Sequence, residues 1–166
     1  MKNWSNDQIS INSTMSYSGT YKPKHPEKYR GDIKKVTYRS SWEKFFMGFL
    51  DNNPKIVRWS SEEVVIPYFS NADGKKRRYF MDFWFIDDNG QEFFVEIKPK
   101  KETQPPVQPA KLTTVAKKRF MSEIYTFSVN QDKWKAAKLL AEKRNIKFKI
   151  LTEDGLRALG FSGANK

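Results

Sequence analysis

The chain has no cysteine and a single histidine, His25. Without cysteine there is no disulfide, no thiolate zinc site and no cysteine nucleophile. With one histidine, set between prolines, a Ser-His-Asp triad or a multi-histidine metal site has almost no material. No apolar run approaches the ~20 residues that span a bilayer. The N-terminus MKNWSNDQIS has no apolar signal core, so a cytoplasmic protein without a membrane segment is expected. Acidic residues are also few, 19 against 31 Lys plus Arg. Any chemistry must therefore come from carboxylates and lysines.

What is present is positive charge and aromatic rings. The net charge of +12 favours a polyanionic partner, nucleic acid first and an anionic membrane surface second. The length of 166 residues allows one domain with a real core. The apolar fraction, 38%, is low for a fully compact chain and points to a folded domain with a polar tail. Residues 1–35 have no strand or helix period and are expected to form an extended, flexible basic arm. Its Lys22, Lys24, Lys28 and Arg30, interleaved with Tyr17, Tyr21 and Tyr29, suit either phosphate contacts and stacking or a solvated tail. The folded domain is expected over residues 36–166.

Ser40 and Glu43 have capping-box spacing, and Trp42, Phe45, Phe46 and Phe49 form an apolar stripe. A helix is expected from Ser40 until Asn52, Asn53 and Pro54 end it. Strands follow near Ile56–Trp59 and Val64–Ile66. Ser70 to Gly74 is a turn, and Lys75, Lys76, Arg77 and Arg78 are a basic run. Beyond Pro99, a Pro/Gln/Lys loop leads to an ambiguous, helix-leaning segment at 112–128. Asn130 is expected to cap a separate helix that buries Trp134, Ala137, Leu140 and Ala141. A strand at 147–151 and a short helix capped by Thr152 complete the order. This predicts an α/β (α+β) domain of order αβββαβ, with a central mixed sheet of four to five strands flanked by helices.

Residues 77–100 carry the candidate chemistry. They read as one long aromatic strand, a turn at Asp88-Asn89-Gly90 and a second strand. A two-residue Asn-Gly turn would put Asp82 and Glu96 on opposite faces. A three-residue loop with Gly90 left-handed would put Asp82 opposite Glu96, and Phe80 opposite Lys98. The other face would then carry Tyr79, Met81, Phe83 and Phe85 against Phe93, Val95 and Ile97. Opposed like charges destabilise a sheet unless a cation lies between them. Two carboxylates on adjacent strands suit a hard cation such as Mg²⁺, with Mn²⁺ as a substitute. The Ile97 carbonyl is a further oxygen donor, and Lys98 shares the face of Glu96. Candidate phosphate contacts are Lys75, Lys76, Arg77, Arg78, Lys100, Lys101, Lys133 and Lys135. Glu43 is explained by its cap, and could add an outer contact if its helix end packs beside the hairpin.

Asp82, Glu96-Ile97-Lys98 and a preceding helix acid resemble the PD-(D/E)xK nuclease superfamily. The strings SGTYKPKHPEKYRG, YRSSWEKFFM, EIKPKKETQPPVQP and VNQDKWKAAK are similar to the head-completion nucleases of T4-like phages, over nearly the whole chain. That resemblance implies a restriction-endonuclease-like fold and a Mg²⁺-dependent DNA endonuclease that helps finish the DNA-filled phage head. By position it implies Asp82 and Glu96 as metal ligands, Lys98 as the catalytic lysine and Glu43 as the helix acid. Met81 stands where a proline often precedes the aspartate. Gln131 is a weak match to a glutamine that some relatives carry. Implied partners are DNA and capsid, portal or neck proteins, in the host cytoplasm during assembly or in the virion. Cutting both strands would call for a second copy or a second binding event. The alternative is a structural, DNA-end-binding protein on the same fold with little cleavage. A host-type resolvase or repair nuclease is a third reading, disfavoured by the tail and Pro/Gln loop.

Overall fold

The computed structural model describes residues 17–163. Helix α1, Ser41–Asn52, starts where the capping box places it, with Ser40 Oγ accepting the Glu43 N–H at 3.1 Å. The Glu43 carboxylate accepts the N–H of Arg39 at 2.8 Å. The central sheet has the order β3-β6-β7-β8, formed by Ile56–Ser61, Phe83–Asp87, Glu92–Ile97 and Lys147–Leu151. β3, β6 and β7 are antiparallel neighbours, whereas β8 joins β7 in parallel after a crossover through helix α2, Thr114–Lys143. Phe83, Val95 and Ile97 pack on one side against Trp42, Phe46, Met47 and Leu50 of α1. Trp84 and Phe94 pack on the other against Trp134, Ala137 and Ala141 of α2. The alternation of side chains along a strand thus separates two cores, and the sheet is covered on both faces. No helix among the described residues is long and apolar enough to cross a membrane.

The β6–β7 loop is the three-residue kind. Phe83 pairs with Val95 and Ile86 with Glu92, and Asp87 N–H donates to the Gln91 carbonyl at 3.0 Å. Gly90 has φ +80, a region costly for residues with a Cβ. A Cβ there would meet nothing within 4 Å, so the cost of Gly90→Ala is a backbone cost alone. We expect it to lower stability by about 1 kcal/mol in urea denaturation. An unchanged midpoint would contradict the left-handed loop.

Three expectations are corrected. First, the long strand before the loop is two strands. β4, Val65–Ser70, and β5, Lys75–Phe80, form a separate antiparallel ribbon inserted between β3 and β6. Ser61 pairs with Phe83 and Val65 with Phe80, so Glu62, Glu63 and Val64 stand against Met81 and Asp82 alone. This extra residue is a bulge, and it bends the chain. Tyr79 and Met81 therefore join Trp84 and Phe94 rather than Phe83. Phe80 lies opposite Val65, not Lys98.

Second, residues 112–128 and the helix expected after Asn130 are one helix, α2, Thr114–Lys143. No Gly or Pro interrupts it, and its cap is Thr113, whose side chain accepts the Ala116 N–H. Asn130 lies buried inside the helix. The short helix α3, Glu153–Ala158, follows Thr152 as expected, although the Thr152 side chain makes no capping bond.

Third, the described part of the expected flexible arm is anchored. β1, Gly19–Thr20, pairs with β2, Thr37–Tyr38. Tyr29 is buried in the core, and Arg30 N–H bonds the Trp59 carbonyl at 2.8 Å. Lys28 Nζ bonds the carbonyls of Leu50, Asp51 and Asn53 at 2.7–2.9 Å, which caps the end of α1. Tyr21, Lys28 and Tyr29 are thus packing residues. The first 16 residues of the arm lie outside the described part.

Candidate active site

Asp82 and Glu96 are placed by the two sides of the β6–β7 hairpin. The register that pairs Phe83 with Val95 sets Asp82 across from Glu96, on the face toward α2. Asp82 Oδ2 accepts the Ile97 N–H at 2.8 Å. Glu96 is only 3% exposed. One of its oxygens accepts the Tyr79 hydroxyl at 2.5 Å, and the other lies 3.6 Å from Lys98 Nζ. The Asp82 carboxyl is pushed well above the usual carboxylate range, first by burial and then by the Glu96 charge; Glu43 adds to the same effect. Tyr79 is also pushed up, by burial and by Glu96, so its hydroxyl keeps its proton to donate.

This arrangement fits a hard divalent cation. The donors are all oxygen, and the repulsion that raises Asp82 is the kind a cation between two carboxylates relieves. Among the described residues no three acidic or histidine side chains are grouped to hold a metal. Any further ligands must come from main-chain oxygen, such as the Ile97 carbonyl, or from water.

The acids open into a cleft of about 500 Å³, lined also by Arg39, Glu62, Arg78, Phe80, Lys98 and Lys133. A second groove of about 780 Å³ shares Arg78, Phe80 and Lys133 with it, and adds Lys76, Arg77 and Tyr125. Arg78 and Lys133 each lie over an aromatic ring, Phe80 and Tyr79, at 5.7 and 5.4 Å from the centroids. The basic run is thus a strand beside the acids. Its Arg77 is paired with Asp73.

The remaining candidates are dispersed. Lys100 is tied to Glu153 and Asp154, and Lys101 lines a cavity under the Pro/Gln loop. Lys75 and Lys135 line neither cleft nor groove. Gln131 is exposed and is also absent from the cleft lining. One oxygen of the Glu43 carboxylate accepts the Arg39 N–H, and its charge helps to raise Asp82.

Three cleft residues escape sequence reasoning. Strand alternation alone puts Tyr79 on the face of Phe83, and the bulge turns it to the face of Trp84 and Phe94. Glu62 reads as an ordinary surface acid until the bulge brings it to the cleft. Arg39 had one signal, its place just before the capping box.

Comparison with known proteins gives the family. A family model described as TnsA-like endonuclease N terminal matches residues 53–153, the span that holds both acids and the whole central sheet. The head completion nuclease of Enterobacteria phage T4 is 74% identical over 150 residues, which are 90% of this chain and 100% of that protein. The mixed four-stranded sheet, flanked by helices, is the restriction-endonuclease-like fold that such a domain requires. With its acids on the hairpin of that fold, the chain belongs to the TnsA-like endonucleases and to the head-completion nuclease family of T4-like phages.

Proposed function

We propose that this protein is a Mg²⁺-dependent endonuclease of the PD-(D/E)xK type that hydrolyses phosphodiester bonds in DNA during phage head completion. The observation that carries the reading is the pair of opposed carboxylates, Asp82 and Glu96, with Lys98 beside them in a basic cleft. The relative's name supports the setting, and the +12 charge supports a DNA substrate. Capsid, portal or neck proteins are the expected assembly partners in the host cytoplasm or the virion. A second copy is one route to cutting both strands.

Asp82, Glu96 and the Ile97 carbonyl would hold Mg²⁺, or Mn²⁺ in its place. Such an ion lowers the pKa of a bound water and neutralises charge on a phosphoryl oxygen. The rest falls to the chain's own groups. Tyr79 donates to one oxygen of Glu96 and fixes the carboxylate's orientation. Lys98 reaches the other oxygen, where it can position the attacking water and offset the negative charge that develops at phosphorus. Arg78 and Lys133 supply positive charge at the mouth of the cleft, and Lys76 extends it along the groove. Glu43 stays in the first turn of α1, held by the Arg39 N–H, and acts on Asp82 by its charge.

Covalently closed circular DNA tests this reading, because it has no ends for an exonuclease to use. We expect nicked and linear products with Mg²⁺ or Mn²⁺, and none with chelator. Intact circles in the presence of either ion, with binding retained, would favour the structural DNA-end-binding alternative.

A further inference from the structure

The cleft to which the bulge brings Asp82 also holds two residues with no role so far, Glu62 and Arg39. Glu62 has φ +55, left-handed backbone in a residue that carries a Cβ. Such strain persists where the surrounding structure imposes it, and it clusters at functional sites. Glu62 N–H bonds the carbonyl of Asp82 at 3.2 Å. Its carboxylate takes both of its contacts from one nitrogen of Arg39, at 3.0 and 3.1 Å. The Arg39 side chain is 72% exposed. Its backbone is fixed at the start of α1 by the bond to Glu43. Arg39 and Glu62 line the same cleft as Asp82, Glu96 and Lys98.

We propose that Arg39 is a phosphate-binding arm of the active site, neutralised by Glu62 until DNA arrives. The proposal rests on the DNA nuclease reading and adds to it a ligand for Arg39, a backbone phosphodiester near the bond to be cut. An exposed ion pair is weakly held. A planar guanidinium with its other nitrogens outside the pair is suited to a phosphate, which can accept two parallel bonds. Binding therefore exchanges the Glu62 carboxylate for phosphate. Because Glu62 and Asp82 are joined through the main chain, the exchange takes place beside the acids. Glu62 acts here as a competitor for Arg39, not as a metal ligand.

The test is equilibrium binding of a labelled duplex in chelator, where nothing is cut. It uses wild type, Arg39→Ala, Glu62→Gln and the double variant. Arg39→Ala is expected to weaken binding about tenfold. It should also lower the slope of log affinity against log salt by about 1. Glu62→Gln is expected to tighten binding several-fold, and the double variant to match Arg39→Ala. Arg39→Lys keeps the charge without the fork and is expected to fall between wild type and Arg39→Ala. Glu62→Gly removes the backbone strain and the carboxylate together, so it should bind like Glu62→Gln and melt no lower than wild type.

If Glu62→Gln tightens binding equally when Arg39 is absent, the effect is general repulsion and the exchange is refuted. Unchanged affinity and salt slope in Arg39→Ala refute it as well. A wild type that cuts closed circles yet gives either result leaves the nuclease reading standing and this inference overturned. A wild type that neither binds nor cuts DNA overturns both.

Discussion

Asp82→Asn is expected to give a protein that melts higher than wild type and cuts DNA at least about a thousandfold more slowly. Both effects follow from one environment. Burial, and then the Glu96 charge, holds the Asp82 carboxyl well above its ordinary value. A carboxyl that keeps its proton more tightly when folded makes stability fall as pH rises from the ordinary carboxylate value to the raised one. At neutral pH the Asp82 carboxyl is therefore a cost to the fold. Asparagine removes that cost and still offers an oxygen to the Ile97 N–H, which now bonds Asp82 at 2.8 Å. The same substitution removes the charge that would hold the cation. Melting curves and single-turnover cleavage rates on one preparation check the two effects together. A variant that melts lower and still cuts would contradict both.

The same environment sets the pH profile. The acid limb of cleavage is expected above the usual carboxylate range. It should move to lower pH as Mg²⁺ is raised, because the ion competes with the proton for the same oxygens. An acid limb that ignores Mg²⁺ concentration would mean that Asp82 titrates without a cation partner.

The second large effect lies far from the acids. Asp51 is 0% exposed. Its carboxylate accepts the Tyr21 hydroxyl at 3.0 Å and the N–H groups of Lys24 and His25 at 2.7 and 3.1 Å. Asp51→Ala strands three donors that have exchanged water for this carboxylate. We expect a loss of about 4 kcal/mol. For a chain of this size that lowers Tm by roughly 10 °C. Trypsin should then cleave after Lys24 faster than in wild type, because the segment it belongs to is released from α1. Denaturant titration and timed proteolysis measure the two outcomes. A loss below about 1 kcal/mol would mean that the arm is held by its apolar contacts alone.

These two regions differ in how much of them the sequence discloses. The hairpin follows local rules. An Asp-Asn-Gly loop, alternating aromatic residues and two opposed acids narrow the register to two choices, and the acids make sense in one of them. The start of α1 follows from Ser40 and Glu43 in the same way. The bulge at Glu62 leaves no such mark, since it depends on how two strands pair across a bend. Without the bulge Tyr79 falls on the face of Phe83, and nothing local marks Arg39 and Glu62 as cleft residues. The arm reads as flexible for a related reason. Its composition is polar, and the partner that orders it, Asp51, sits at the end of a helix 26 residues beyond His25 in the chain. Asn130 has the chemistry of a cap, but no glycine or proline within α2 requires a break there.

Asp82 and Glu96 are proposed to hold a divalent cation between them. The most direct measurement is an anomalous difference map from a crystal soaked in Mn²⁺, at a concentration that supports cleavage. The account predicts a peak between the two carboxylates and next to the Ile97 carbonyl, missing from Asp82→Asn crystals soaked in parallel. A wild-type map with no peak there, or with the ion held elsewhere in the cleft, would contradict it.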